Sequence, residues 1–597
     1  MTKTATKNNK LYHGERLNKL KEEKQYYLKR SRWWVVLRLL SFSAIPVTLF
    51  LGYPLGGYSA GLLIVELLIF LWFVRKSAEN KERLQFVKYL IIINENELEA
   101  LDNNFNAFGS GERWINQQHP FTYDMDVFGK DGFFQILNRT VTERGEKTLA
   151  QRLSRGVDDY EKSIEAVQEL SNNPNWYQAY LAHGMQQKEG VEDLSIAKWS
   201  NQQIQQKRWM KVLSFVLPII AIGLTSLYLL DFIHGLYFSI GAVLVLLPIR
   251  QVLKQTNELH QSLSKLGEGI KAMQHQLEHV KTIQFESTQL KEYQKELFNN
   301  EQNAHRSIEQ LSQLVEHVEY RNNILVAILL NFYMAWDLRV TMRASRWIAE
   351  NAKHIQHWEQ LIFEFEALIS GANYRRMYAD KTTAPDLLSA DQNDVSLSEL
   401  GHPIIADGKR VTNDFTLADD HRFAIITGPN MAGKSTFLRS VGVNIMMAQA
   451  GFHVMAEKFV FPNRRLYSSM RTADDLSEET SYFHAELLRL RFIMDAIERG
   501  EKVFIILDEI LKGTNSKDKE EGSRKFLKKL EEKGACGLIA THDLSLTTLA
   551  KEHQSLVNKY FDTNIQGDEI SFDYKMREGV AQNMNASFLL RKMKLTD

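Results

Sequence analysis

Four long apolar stretches, set in two closely spaced pairs, restrict what this chain can fold into more than any other feature. Trp33 to Tyr53 (WWVVLRLLSFSAIPVTLFLGY) and Tyr58 to Val74 (YSAGLLIVELLIFLWFV) are separated by a short Pro/Gly turn. Val212 to Leu230 (VLSFVLPIIAIGLTSLYLL) and Phe232 to Ile249 (FIHGLYFSIGAVLVLLPI) repeat the arrangement around Asp231. Each approaches the roughly 20 apolar residues that a helix needs to cross a hydrocarbon layer of about 30 Å. The spacing predicts two transmembrane helical hairpins, 33–74 and 212–249, against the alternative of buried hairpins in a water-soluble core. Lys29, Arg30 and Arg32 precede the first stretch and Arg75 and Lys76 follow the second, while Lys207, Arg208 and Lys211 precede the third and Arg250 and Lys254 follow the fourth. Basic flanks stay on the cytoplasmic side. The expected topology is therefore multi-pass in the cell's inner membrane, with both termini and all large segments in the cytoplasm. A late first stretch without a small-residue cleavage site argues against a cleaved leader. Arg38 and Glu66 lie inside spans, and Arg38 is expected to snorkel rather than pair with another helix.

The rest of the 597 residues, 44% hydrophobic overall, supply material for several cores. Lys plus Arg equals Asp plus Glu at 73 each, so any hold on nucleic acid or anionic lipid has to come from a local patch. One cysteine, Cys536, excludes a disulfide framework and a Cys-built zinc site and suits a reducing cytosol. The expected fold is multidomain, α plus α/β. It comprises a cytoplasmic tail (1–32), hairpin 1 (33–74), a helical core in two parts (75–211 and 250–372) around hairpin 2 (212–249), and an α/β domain (373–597). Leu259, Leu263, Leu266, Ile270, Met273, Leu277 and Val280 form a 4-3-4 seam on one long helix. It reads as a lever or coiled-coil arm, or as an ordinary bundle helix; Gly267 and Gly269 weaken a rigid rod. ILVAILLNFYMAW, from Ile324, is too short to span and carries Asn331, so it is expected to be a buried core helix.

In the α/β region, FAIITGPNMAGKSTFLRS (Phe423 to Ser440) runs from an apolar strand through a Gly-rich turn into a helix opening on Lys-Ser-Thr. Gly428, Gly433, Lys434 and Ser435 fit G-x-x-x-x-G-K-[ST], which makes Gly428, Pro429, Asn430, Met431, Ala432, Gly433, Lys434, Ser435 and Thr436 the expected ATP-binding loop. Its glycines let backbone N–H groups approach phosphate oxygens, Lys434 reaches the β- and γ-phosphates, and Ser435 is a ligand for Mg²⁺. VFIILDE (Val503 to Glu509) is a buried strand ending in two acids: Asp508 to support Mg²⁺ and Glu509 as general base for the attacking water. GLIATHD carries His542 to the same sheet edge as a γ-phosphate sensor.

TGPNMAGKSTFLR, DDLSEETSYFHAEL, LDEILKGTNSKD and ATHD, in that order, resemble the ATPase domain of the MutS family of DNA mismatch-recognition proteins, relatives of ABC ATPases. GHPII at Gly401 and NDF at Asn413 are similar to the strands before the loop, YKMREGVA at Tyr574 to the closing segment, and LNRTVTERGEKTLAQRL (Leu137 to Leu153) to the start of the family's helical core. The likeness covers most of residues 120 to 597 outside the second hairpin. It implies an ATP- and Mg²⁺-dependent ATPase, dimeric through its ATPase domains, with composite sites. Ser481 matches the signature-loop serine that reaches the nucleotide of the opposite subunit, a role compatible with capping the helix that follows; KGTNSKD matches the loop crossing the dimer interface. Two departures stand out. No F-x-E wedge of the mismatch-reading domain occurs in the first 120 residues, where a membrane hairpin stands instead, and DEILKGTNS replaces the usual DEIGRGTST, with Leu511 and Lys512 in the changed positions. Together, the resemblance and the apolar hairpins lead to the expectation of a membrane-anchored MutS-type ATPase in which nucleotide-driven dimer closure moves the helical levers and hence DNA or the membrane hairpins. The rival expectation is a membrane mechanical ATPase acting on a protein partner without nucleic acid.

Overall fold

The computed structural model describes residues 4–51, 57–186, 196, 200, 208–298, 303–471, 482–512, 514–566 and 569–581. Two helices, α1 (Thr4–Leu51) and α2 (Gly57–Leu101), pair antiparallel; the 48 residues of α1 extend about 72 Å at 1.5 Å each. The turn between them, 52–56, lies outside the described residues. Their far halves carry the apolar stretches with side chains turned outward: Leu39, Phe50, Ile64 and Leu68 are all exposed. Here Glu66 accepts a hydrogen bond from Thr48 Oγ1 at 2.7 Å. Their near halves, including most of the stretch read as a tail, pack on the helical body through a polar seam in which His13 meets Asn94 (2.8 Å) and Asn94 donates to Gln178 (3.1 Å).

The body is built from α3 (Phe133–Leu137), α4 (Glu143–Arg155), α5 (Tyr160–Ser171), α6 (Pro174–Gly184), α7 (Arg208–Leu229), α8 (Gly235–Leu246), α9 (Leu253–Val280), α10 (Thr288–Phe298), α11 (Ala304–Glu319), α12 (Ile324–Met334) and α13 (Trp336–Met377). All seven seam residues of α9 are buried, against α6, α11 and α13, so α9 is a bundle helix rather than a free arm. Glu97 ties three elements together: Arg139 donates to it at 2.6 Å and Asn373 at 3.1 Å.

Among the described residues, two helices, Lys7–Phe50 within α1 and α7, are by length and composition apolar enough to cross a membrane, or up to four if each of two bent pairs counts as one span. The bent pairs are Gly235–Gln251 with α9 (65°) and α12 with α13 (82°). One sequence expectation fails here. Instead of being buried, α12 buries only Asn331 and Phe332 and exposes Ile324, Leu325, Ile328 and Leu329. It lies against α7 and α8, sharing with them a small apolar cluster that includes Leu217, Val245, Phe332 and Leu338. Apolar composition and shortness suggested a core helix; the chain around it leaves that core unbuilt.

Beyond α13 the chain forms an α/β unit. A six-stranded sheet has the order β12-β9-β4-β8-β7-β6, built from β4 (Phe423–Thr427), β6 (Arg465–Ser469), β7 (Val503–Asp508), β8 (Cys536–Ala540), β9 (Leu556–Phe561) and β12 (Met576–Glu578); only β12 is antiparallel. Every residue of β4 and β8 is buried, as a parallel sheet covered on both faces requires. Helices α14 (Lys434–Gln449), α15 (Tyr482–Glu498) and α16 (Ser516–Glu532) follow β4, β6 and β7. A second sheet, β1-β5-β2-β3, uses β1 (Asp386–Leu388), β2 (Val395–Leu400), β3 (Asn413–Leu417) and β5 (Lys458–Pro462). The α/β unit is fused to the helical body. Gly371 of α13 lies so close to Phe452 that a Cβ would stand 2.4 Å from its ring, and Asp124 accepts from Ser468 Oγ (2.6 Å) and the Arg471 backbone N–H (3.0 Å).

Candidate nucleotide site

The strand order places the ends of β4, β8 and β7 side by side, so three segments far apart in sequence meet at one sheet edge. The loop leaving β4 makes its turn on Gly428 (φ 144°) and Gly433 (φ 111°), backbone values that side chains rarely adopt. At Gly428 a Cβ would also stand 2.5 Å from the Phe561 carbonyl oxygen. The loop delivers the chain to the N-terminus of α14, whose first N–H groups point at an incoming anion.

Lys434 is buried, and its Nζ donates to the carbonyls of Gly428 (2.7 Å) and Pro429 (3.1 Å), closing over its own loop. Burial pulls its pKa down from 10.5 to about 8, with Asp508 and Glu509 offsetting part of the effect. Ser435 Oγ donates to Asp508 Oδ2 at 2.5 Å. This pair, a hydroxyl and a carboxylate beside the phosphate loop, offers only hard oxygen atoms and fits Mg²⁺, which takes one or two protein oxygens and completes its shell with phosphate and water. Consistent with so sparse a donor set, the described residues contain no group of three or more His, Cys, Asp or Glu able to hold a metal.

His542, just past β8, stands between the other two groups. Its Nε2 is 2.6 Å from Glu509 Oε1 and 3.2 Å from Lys434 Nζ. The hydrogen bond from His542 holds Glu509 at about 2, well below the usual 4.5. Glu509 has φ 54° and Leu511 φ 60°, left-handed conformations that cost a bulky residue about 1–2 kcal/mol. What holds Leu511 is a residue the sequence did not single out: Glu486 on α15, buried, accepts both the Leu511 N–H and, at 3.0 Å, the Lys512 N–H. Leu511 packs its side chain against Gly522 of α16, where a Cβ would meet it at 2.8 Å. Glu486 lies within DDLSEETSYFHAEL, but no spacing rule links it to a loop 25 positions on.

In front of the loop lies a cavity of about 630 Å³, lined by Asn430, Lys434, Ser435, Thr436 and Glu509 and also by the apolar Leu400, Ile405 and Val411. Tyr574 also lines it and is fixed by its carbonyl accepting from Asn413 (3.0 Å). Met431 projects outward, 80% exposed, while Ala432 is buried. Thus Gly428 through Thr436, Asp508, Glu509 and His542 assemble in one place, whereas Ser481 and Gly513 lie outside the described residues.

A largely parallel sheet whose adjacent strand ends carry a glycine-turned phosphate loop, an aspartate beside the loop's serine, and a Glu–His pair has the layout of a P-loop nucleotide-binding domain. Residues 424–593 match the family model for MutS domain V. The chain is 36% identical over 183 residues to the DNA mismatch repair protein MutS of Thermotoga petrophila, covering 30% of this chain and 23% of that protein. It is 30% identical over 254 residues to DNA mismatch repair protein MutS 2 of Halobacterium salinarum (42% and 28%) and 29% over 241 residues to MutS of Natronomonas pharaonis (39% and 27%). The likeness to the MutS family is carried by the C-terminal domain. The matched region spans about a quarter of the length of these relatives.

Proposed function

We propose that this protein is a membrane-anchored, Mg²⁺-dependent ATPase of the MutS type, in which nucleotide-driven closure of a homodimer moves the helical body and through it DNA. The observation that carries the reading is that Lys434, Ser435 and Glu509 line one cavity, with Asp508 bonded to Ser435 and His542 against Lys434 and Glu509, all five within the stretch that matches MutS domain V. Lys434 exchanges its two loop carbonyls for β- and γ-phosphate oxygens. Ser435 and Asp508 would hold Mg²⁺, which when bound would neutralise charge on the phosphates. Glu509 takes the proton of the attacking water; paired with His542 it is a weak base, so engaging that water requires the pair to loosen. His542, freed from Glu509, faces the γ-phosphate. Ser481 acts on the nucleotide of the opposite subunit. Support for the anchor comes from the exposed apolar halves of α1 and α2 and from α7, with basic residues at their cytoplasmic ends.

Lys434→Ala should abolish nucleotide binding, and Glu509→Gln should bind nucleotide without turnover; parental turnover in the Gln variant would refute its role as base. DNA is supported by the names of the relatives, each a DNA mismatch repair protein. Without a mismatch wedge, binding should rest on phosphate contacts, fall steeply with salt and be indifferent to a mismatch. Absence of binding to perfect, mismatched and branched duplexes at low salt, with a non-hydrolysable nucleotide present, would favour the second reading: a membrane mechanical ATPase. That reading draws on the direct run of α12 and α13 from the apolar hairpin to the α/β unit.

A further inference from the structure

Helix α12 presents a face that water does not suit. From Asn322 to Trp336 there is no charged side chain, and Ile324, Leu325, Ile328 and Leu329 are 48–73% exposed. A helix lying on a membrane surface carries a charged face; α12 has none. At 11 residues, about 16 Å, it is too short to span.

Its polar side chains Asn331 and Tyr333 and its N-terminal cap nevertheless find partners within the protein, as a hydrocarbon environment demands. Asn323 caps the N-terminus by accepting from the Leu325 (3.0 Å) and Val326 (3.3 Å) N–H groups. Asn331, its one amide side chain, donates to Ala327 O (3.0 Å) and accepts from the Asp337 N–H (2.9 Å) across the bend into α13. The Tyr333 hydroxyl meets Thr225 of α7 at 3.2 Å. The buried side of α12 is seated on the second apolar hairpin, with Phe332 against Phe238 of α8 at 6.3 Å between ring centroids. The two helices on which it is seated, α7 and α8, themselves expose Ile219, Ile222 and Val243.

We propose that α12 is a third membrane-embedded element of the second apolar unit, inserted partway into the bilayer beside α7 and α8, with lipid acyl chains covering its exposed face. The proposal rests on the membrane reading given above. It gives the bilayer a direct connection to the nucleotide domain, because α12 bends by 82° into α13, whose Gly371 packs on Phe452 just beyond the phosphate-loop helix α14.

The test uses the full-length protein in phosphatidylcholine vesicles, with Leu325→Cys or Leu329→Cys labelled by a small fluorophore; Cys536, fully buried, stays in place. Ile219→Cys on α7 reports on the hairpin and Ile115→Cys, on the helical body, on the aqueous phase. Quenching by acyl-chain nitroxide lipids should match Ile219 at both α12 positions, with iodide quenching only Ile115. Iodide quenching of α12 positions while Ile219 remains lipid-quenched overturns the insertion of α12 alone. Iodide quenching of Ile219 as well overturns the membrane reading and the proposal with it. Shielding of α12 from both quenchers means protein covers it, and lipid is then the wrong occupant.

Discussion

Nucleotide binding should draw a proton onto Lys434. In the free protein its ammonium is buried and holds a pKa of about 8. A bound polyphosphate supplies the missing counter-charge; returned to about 10.5, the lysine that is about nine-tenths neutral at pH 9 becomes almost fully charged. The bound state then carries more protons than the free one, so affinity is greatest at low pH, weakens as pH rises through 8 and levels off above 10.5. Between pH 7 and pH 9.5 the two titration curves separate by about 30-fold in dissociation constant, or about 2 kcal/mol. Calorimetric titration with a non-hydrolysable ATP analogue, in two buffers of different ionisation enthalpy, reads both quantities: the weakening, and an uptake of about 0.9 proton per site at pH 9. Lys434→Arg, whose guanidinium does not titrate in this range, should lose the pH dependence. A dissociation constant that is flat from pH 7 to 9.5 in the parent protein, without proton uptake, would refute the reasoning that burial governs this lysine.

Glu486→Ala leaves the buried Leu511 N–H unpaired, at about 1–3 kcal/mol, removes the partner of the Lys512 N–H as well, and releases the left-handed Leu511. Turnover should drop by at least about tenfold while nucleotide affinity stays near parental; an unchanged kcat would sink the clamp. Gly537→Ala puts a Cβ 2.0 Å from the Ile505 carbonyl oxygen in the strand that carries Asp508, and should cost more than about 3 kcal/mol, seen as loss of folded protein. Gly14→Ala, with nothing within 4 Å, should leave the melting temperature unchanged or raise it. Mixing Lys434→Ala with Ser481→Ala subunits should restore part of the ATPase rate, since one composite site in the mixed dimer is then intact; a demonstrated mixed dimer without rescue would speak against action across the interface.

The phosphate loop and the acidic strand end could be read from letters alone because their chemistry is local. A tight turn needs glycine where φ is positive, a lysine and a serine must open the helix, and the acids must end a strand buried on both faces. The seam of α9 was equally legible, since helical periodicity depends on neighbours three and four residues away, but whether it formed an arm or a bundle helix depended on α6, α11 and α13 arriving to cover it. The same dependence explains the misreading of α12. Hydropathy gives the cost of leaving a side chain in water and says nothing of which neighbour removes it, and no helix closes over Ile324 or Leu325. The Glu486 clamp and the contacts among Lys434, His542 and Glu509 join groups 25 to 108 positions apart, from separate strand and helix ends. No periodicity reaches that far. Strand order β4-β8-β7 brings the catalytic ends together, and strand order is settled by which apolar faces pack best across the whole sheet.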